Sequence, residues 1–95
     1  MNLTEADARV FLTEGLLSAD IEEHEEAIEN YDKALEIVQS AEIYLNKAIS
    51  LAELERFEKA LECYDKAVTL EPNDSLLWYN KGVVLTDLER FDDAI

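Results

Sequence analysis

Residues 54–61 read LERFEKAL, and residues 88–95 read LERFDDAI, the same phrase 34 positions later. Sliding the whole chain by 34 sets Tyr44 on Trp78, Asn46 on Asn80, Lys47 on Lys81, Leu51 on Leu85, Phe57 on Phe91 and Ala60 on Ala94. Sliding it back by 33 lays AIENYDKALEI, residues 27–37, over ALECYDKAVTL, residues 60–70. A fixed period of this length marks stacked supersecondary units. It divides a single domain, 1–95, into units of 8–40, 41–74 and 75–95.

Inside each unit the apolar spacing is helical. Ala60, Leu61, Tyr64, Ala67 and Val68 recur at intervals of three and four, as do Leu45, Ile49 and Ala52 before them, so each unit carries two amphipathic helices. No alternating strand pattern competes. Between units, Glu71-Pro72-Asn73-Asp74-Ser75 joins a helix-ending proline to capping residues for the next helix. Thr4 with Asp7 three residues on is an acidic variant of the capping box, which predicts a first helix from residue 5.

Composition bounds the rest. The chain has 95 residues, 48% of them hydrophobic and 33% charged, a mixture that folds. The formal charge of -15 repels phosphate backbones and anionic membrane surfaces, so neither nucleic acid nor membrane is an expected partner. No apolar run is long enough to span a bilayer, no signal peptide is visible, and the single Cys63 forms no internal disulfide. The expectation is a soluble cytoplasmic protein.

These residues resemble the tetratricopeptide repeat, whose pattern sets an aromatic, a Leu or Gly, a Tyr, an Ala, an aromatic, an Ala and a Pro at fixed spacings. The first unit supplies Phe11, Gly15, Ala27, Tyr31 and Ala34; the second supplies Tyr44, Ala60, Tyr64, Ala67 and Pro72; the third supplies Trp78, Gly82 and Ala94. Ala48 stands where the other units have Gly15 and Gly82. The first unit departs most, with His24 in place of Phe57 and Phe91, Ser18 where a large residue is usual, and Gln39 in place of the closing proline, so looser packing is expected there.

The resemblance implies an all-α fold of helix-turn-helix units stacked as a right-handed superhelix, acting as a protein-interaction scaffold. It implies a concave surface lined by the first helix of each unit, and carries onto this sequence a peptide-binding groove of Leu12, Leu16, Leu45, Asn46, Ile49, Tyr79, Asn80 and Val83. Acidic Asp20, Glu42, Glu53 and Asp87 rim that row, with Arg9 as the basic exception. Some members grip a partner's terminal carboxylate, but the corresponding Leu12, Leu16, Asn46, Leu76 and Asn80 include no cation. The expected partner is therefore a protein or peptide with an apolar stripe and basic flanks. Leu and Ile at helical spacing are equally well read as array core.

In the third unit, a helix over 75–88 would be followed by only one turn of the second helix, leaving Trp78 and Leu85 poorly covered. The chain then reads as a fragment of a longer array whose residues 75–95 pair with another copy, swap a helix or fray, and this self-assembly is the alternative function. Ala27, Ala60 and Ala94 read as inter-helix contact points.

The remaining signals point to structure. Asn46 and Asn80 recur at one place in the unit, as a hydrogen bond between helices would require. Glu22, Glu23, Glu25, Glu26 and Glu29 open a helix, where negative charge favours the dipole. One His and one Cys build no zinc site, no calcium or phosphate loop occurs, and neither a cofactor nor catalytic residues are expected.

Overall fold

The computed structural model describes residues 2 to 94, with side chains through Arg90. Five helices follow one another: α1 (Glu5–Asp20), α2 (His24–Leu35), α3 (Ala41–Glu53), α4 (Phe57–Leu70) and α5 (Ser75–Ala94). No strand occurs among the described residues. Each helix packs on its neighbours in sequence, and α1 also touches α3. The molecule measures 48 × 30 × 19 Å.

The start of α1 is capped as expected. Thr4 Oγ1 accepts from the Asp7 backbone N–H, and Asp7 Oδ2 accepts from the Thr4 backbone N–H at 2.7 Å. Ser40 caps α3 by accepting from the Ile43 N–H, and Asp74 Oδ1 accepts from the Leu76 N–H at the head of α5.

Two turns within units are copies of each other. Glu22 has φ 63 and Glu55 has φ 59, both in the left-handed region that disfavours an L side chain by about 1–2 kcal/mol. The backbone N–H groups of Glu22 and Glu23 donate to Ala19 and Ser18, and those of Glu55 and Arg56 donate to Ala52 and Leu51, closing the helix ends in one motif. Packing of the second helix offsets the strain.

Two core clusters result. Ala27, Tyr31 and Ala34 of α2 close on Ala8 and Leu12 of α1 with Ile43 of α3. Ala60, Cys63, Tyr64, Ala67 and Val68 of α4 close on Tyr44, Ala48 and Leu51 of α3, and reach Leu77 and Val84 of α5. Apolar surface removed from water in this way is worth about 25 cal/mol per Å2. The alanines at the helix crossings let the backbones approach, and each is fully buried.

The first unit is not loosely packed, contrary to expectation. A Cβ built on Gly15 would lie 2.5 Å from Tyr31 Cε1, so this ring is seated directly on the glycine. His24, where the other units carry phenylalanine, shares a 3.1 Å hydrogen bond through Nδ1 with Oγ of the buried Ser50 on α3. A polar link between units takes the place of an apolar one, and it satisfies a hydroxyl that burial would otherwise leave costly.

The third unit also differs from expectation. No turn follows Leu88; α5 runs unbroken through Glu89 and Arg90 to Ala94. A turn here would place Glu89, their counterpart in the repeat, in the strained conformation of Glu22 and Glu55. Extending the helix adds one hydrogen bond per residue instead. The contact expected of Ala94, and Phe91 and Ile95 as parts of a second helix, lie outside the described side chains and residues.

Periodic polar contacts fix the register of the stack. Lys47 Nζ lies 2.6 Å from Asp32 Oδ1, and one period on, Lys81 Nζ lies 2.7 Å from Asp65 Oδ1. Lys33 sits 5.7 Å above the Phe11 ring and Lys66 5.6 Å above the Tyr44 ring, again one period apart. Pairs this exposed contribute little energy each, so their value is in alignment.

Burial pushes the Tyr64 hydroxyl up to about 12 and raises that of Tyr31. Above pH 10 the unfolded chain gives up these phenolic protons while the native fold retains them, so the contribution is complete below pH 10 and is lost as pH climbs towards 12. Helical circular dichroism should collapse within that window in an alkaline titration. Tyr64→Phe should weaken the pH dependence; an unchanged midpoint and slope would dissociate Tyr64 from the transition.

Candidate functional site

The helices α1, α3 and α5 open each unit, and their equivalent residues form a row with a measurable order. Leu16, Ile49 and Val83 occupy one repeat position and are 37%, 41% and 41% exposed. Three apolar side chains held open to nearly the same degree, one per unit, are not the product of a covered core.

One turn earlier the pattern is graded. Leu12 is buried beside Ile43, Leu45 is half-buried near Leu77, and Tyr79 is 70% exposed. The physical reason is sequential coverage: the first helix of the next unit shields each residue in turn, and nothing among the described residues shields Tyr79. Leu12 thus floors the row rather than standing out from it.

Clefts separate these helices. Arg9, Leu12, Glu42 and Ile43 line one of about 250 Å3 between α1 and α3. Glu42, Leu45, Glu71, Asp74 and Leu77 line a second of about 570 Å3 towards α5. At the opposite end Glu53, Glu55, Asp87 and Arg90 surround a third of about 480 Å3. Of the acidic rim, Glu42 serves two clefts and Glu53 and Asp87 share another, whereas Asp20 stands exposed at the end of α1, outside these three.

The paired asparagines behave differently from expectation. Asn46 Nδ2 donates to the Glu42 carbonyl at 3.0 Å, four residues back on the same helix, so it does not link helices. Asn80 makes no side-chain hydrogen bond among the described residues, and both are half-buried at the edge of the row.

A second cleft system is barely legible in the linear sequence. Lys47, Arg56, Lys59 and Lys66, four of the eight basic residues, surround a cavity of about 200 Å3 where α2, α3 and α4 meet, with Cys63 in its wall. Lys47 pairs with Asp32 and Arg56 with Glu25. Only the spacing of Lys59, Cys63 and Lys66 along one face of α4 hints at it. Burial raises the Cys63 thiol, with Lys47 and Lys66 pulling the other way, so the net effect disfavours the reactive thiolate.

Among the described residues no group of three or more His, Cys, Asp or Glu side chains could hold a metal ion. No described helix is long and apolar enough to cross a membrane.

Antiparallel helix pairs, repeated at a 33–34 residue period, joined by matching left-handed turns and stacked on one another, define a helical-repeat solenoid. Family models described as tetratricopeptide repeat match residues 8–37, 41–74 and 63–95. The chain belongs to the tetratricopeptide repeat family. No curated protein matches it. Tetratricopeptide repeats generally mediate protein–protein interactions and are typically non-catalytic scaffolds.

Proposed function

We propose that the chain binds a peptide or helix of a partner protein on the surface lined by α1, α3 and α5, with Leu16, Ile49 and Val83 as the apolar stripe at its centre. The observation that carries this reading is their equal exposure, one residue per repeat, at a position where a core residue would be covered. A ligand laid across the row meets an apolar contact at each repeat. Leu12 and Leu45 form the floor, Tyr79 and the amides of Asn46 and Asn80 the edges, and Asp20, Glu42, Glu53 and Asp87 supply a negative rim.

The rim sets the partner's chemistry. With a chain charge of -15 and acids around the row, a helix carrying Leu along one face and Lys or Arg on its flanks is attracted at long range and matched at contact. A buried free thiol suits a reducing compartment such as the cytoplasm.

The test is a fluorescently labelled basic amphipathic helix titrated with the protein. Leu16→Glu with Ile49→Glu should weaken binding by more than about tenfold, because two carboxylates then occupy the contact surface. Circular dichroism should stay native, since both residues are exposed. Unchanged affinity in the double variant would remove the stripe from the binding surface.

A second reading, self-association through residues 75–95, is favoured by the exposure of Trp78 and Leu85, at 49% and 43%. It predicts a sedimentation coefficient that rises with protein concentration without any added peptide.

A further inference from the structure

The cavity where α2, α3 and α4 meet takes no part in the groove proposed above. None of the groove residues lines it, and on α3 Lys47 stands about 160° around the helix from Ile49. Lys47, Arg56, Lys59 and Lys66 surround its volume of about 200 Å3, in a chain whose formal charge is -15. Against them stand Asp32 and Glu62 in the lining, and Glu25, which pairs with Arg56. Four cations facing three acids leave a local excess of positive charge.

The repeat does not require these cations. Lys59 stands where the other units have Glu26 and Asp93, and Arg56 stands where the first unit has Glu23. Arg56 is the N-cap of α4 and Lys59 the third residue of that helix, so both sit at the positive end of the helix dipole, where a carboxylate is the stabilising choice. Acidic residues outnumber basic ones 23 to 8. Even so, among the described residues neither Lys59 nor Lys66 has a carboxylate within ion-pair distance. Cations gathered around a concavity, against the preference of the helix, are the arrangement that concentrates an anion.

The geometry narrows the ligand. Lys47 Nζ is positioned by Asp32 Oδ1 at 2.6 Å, and Lys66 is held 5.6 Å over the Tyr44 ring. Donors converge from α3, from the turn before α4 and from two turns of α4 itself, which suits the several oxygens of a tetrahedral phosphate; a planar carboxylate is satisfied by one guanidinium fork. Ile28 and Leu51 in the same lining offer an apolar wall to an organic body, and the Cys63 thiol, kept neutral by burial, adds no opposing charge. A long polyanion would meet the repulsion of the remaining surface, so the ligand is small.

We propose that this cavity binds the phosphate group of a small organic phosphate monoester, gripped by Lys47, Arg56, Lys59 and Lys66, with Ile28 and Leu51 against the organic part. The proposal does not rest on the groove reading, because the residues and the ligand chemistry are different.

The probe is phenyl phosphate, titrated into the isotope-labelled chain at neutral pH with amide chemical shifts as the readout. Saturable shifts centred on Arg56, Lys59 and Lys66 are expected, and phenol should produce none of them. Lys59→Glu, at an exposed position, should keep native circular dichroism and weaken binding at least about tenfold, since a charge-assisted contact is lost and a repulsion gained. Lys33→Glu makes the same change of net charge over the Phe11 ring, and salt screening should hold its effect within about twofold. No saturable shift with phenyl phosphate, equal shifts with phenol, or equal weakening by the two lysine variants would overturn the proposal.

Discussion

Truncating Tyr64 to alanine is expected to destabilise the fold by about 3–5 kcal/mol, the range for removing a large aromatic from a packed interior. Tyr64 is 2% exposed and sits among Ala48, Leu51 and Ala67 in the cluster that joins α3, α4 and α5. Deleting it opens a cavity between α3 and α4, and the alanines around it have no side-chain length with which to refill the space. Against a total stability of about 5–15 kcal/mol for a domain, that is enough to leave a large unfolded population on mild warming. Tyr79→Ala is the control: its ring is 70% exposed, and the change should stay within about 0.5 kcal/mol. Urea denaturation followed by circular dichroism reads both, and equal effects would mean that Tyr64 does not anchor the stack.

The two glycines should respond to alanine with opposite signs. Gly15 and Gly82 share a repeat position and both lie within helices, so alanine gains up to about 1 kcal/mol of helix propensity at either. At Gly15 the added Cβ would fall 2.5 and 2.8 Å from carbons of the fully buried Tyr31 ring and 3.2 Å from the Ala27 carbonyl oxygen. The ring must move within a close-packed cluster, at about 1–3 kcal/mol, which outweighs the propensity gain. At Gly82 there is nothing to strike, so the gain stands alone. Melting temperatures of the two variants should therefore fall on opposite sides of the parent. Both rising would mean that α1 and α2 are not in close contact at Gly15.

Much of this architecture is legible in the sequence because a repeat states each rule more than once. The alanines at 27, 60 and 67 and the tyrosines at 31 and 64 are buried for the reason their spacing implies: one helix face must meet a neighbour. Thr4 and Asp7 are a local signal and act locally. The features that escaped depend on balances no motif encodes. Whether the chain turns at Glu89 depends on setting left-handed strain against the packing of a second helix, and LERF at 88–91 is spelled like the turning LERF at 54–57. His24 reads as a departure from an aromatic position, yet it finds Ser50, 26 residues away, and the two polar groups satisfy each other.

The candidate surface is less legible. Leu12, Leu45 and Tyr79 are equivalent in the repeat but range from buried to exposed, because coverage comes from a neighbouring first helix, and among the described residues none packs over Tyr79. Leu16, Ile49 and Val83 escape that gradient, and this is why we propose them as the contact residues. The basic cleft beside Cys63 draws cations from α3, α4 and the turn before α4, a convergence that no linear spacing displays.

Amide chemical-shift mapping of the labelled protein with a basic amphipathic peptide tests the central claim most directly. The account predicts perturbations centred on Leu16, Ile49 and Val83 and spreading along α1, α3 and α5 to Glu42, Glu53 and Asp87. Perturbations confined to α2 and α4, or a peptide that binds without touching the Leu16–Ile49–Val83 row, would contradict it.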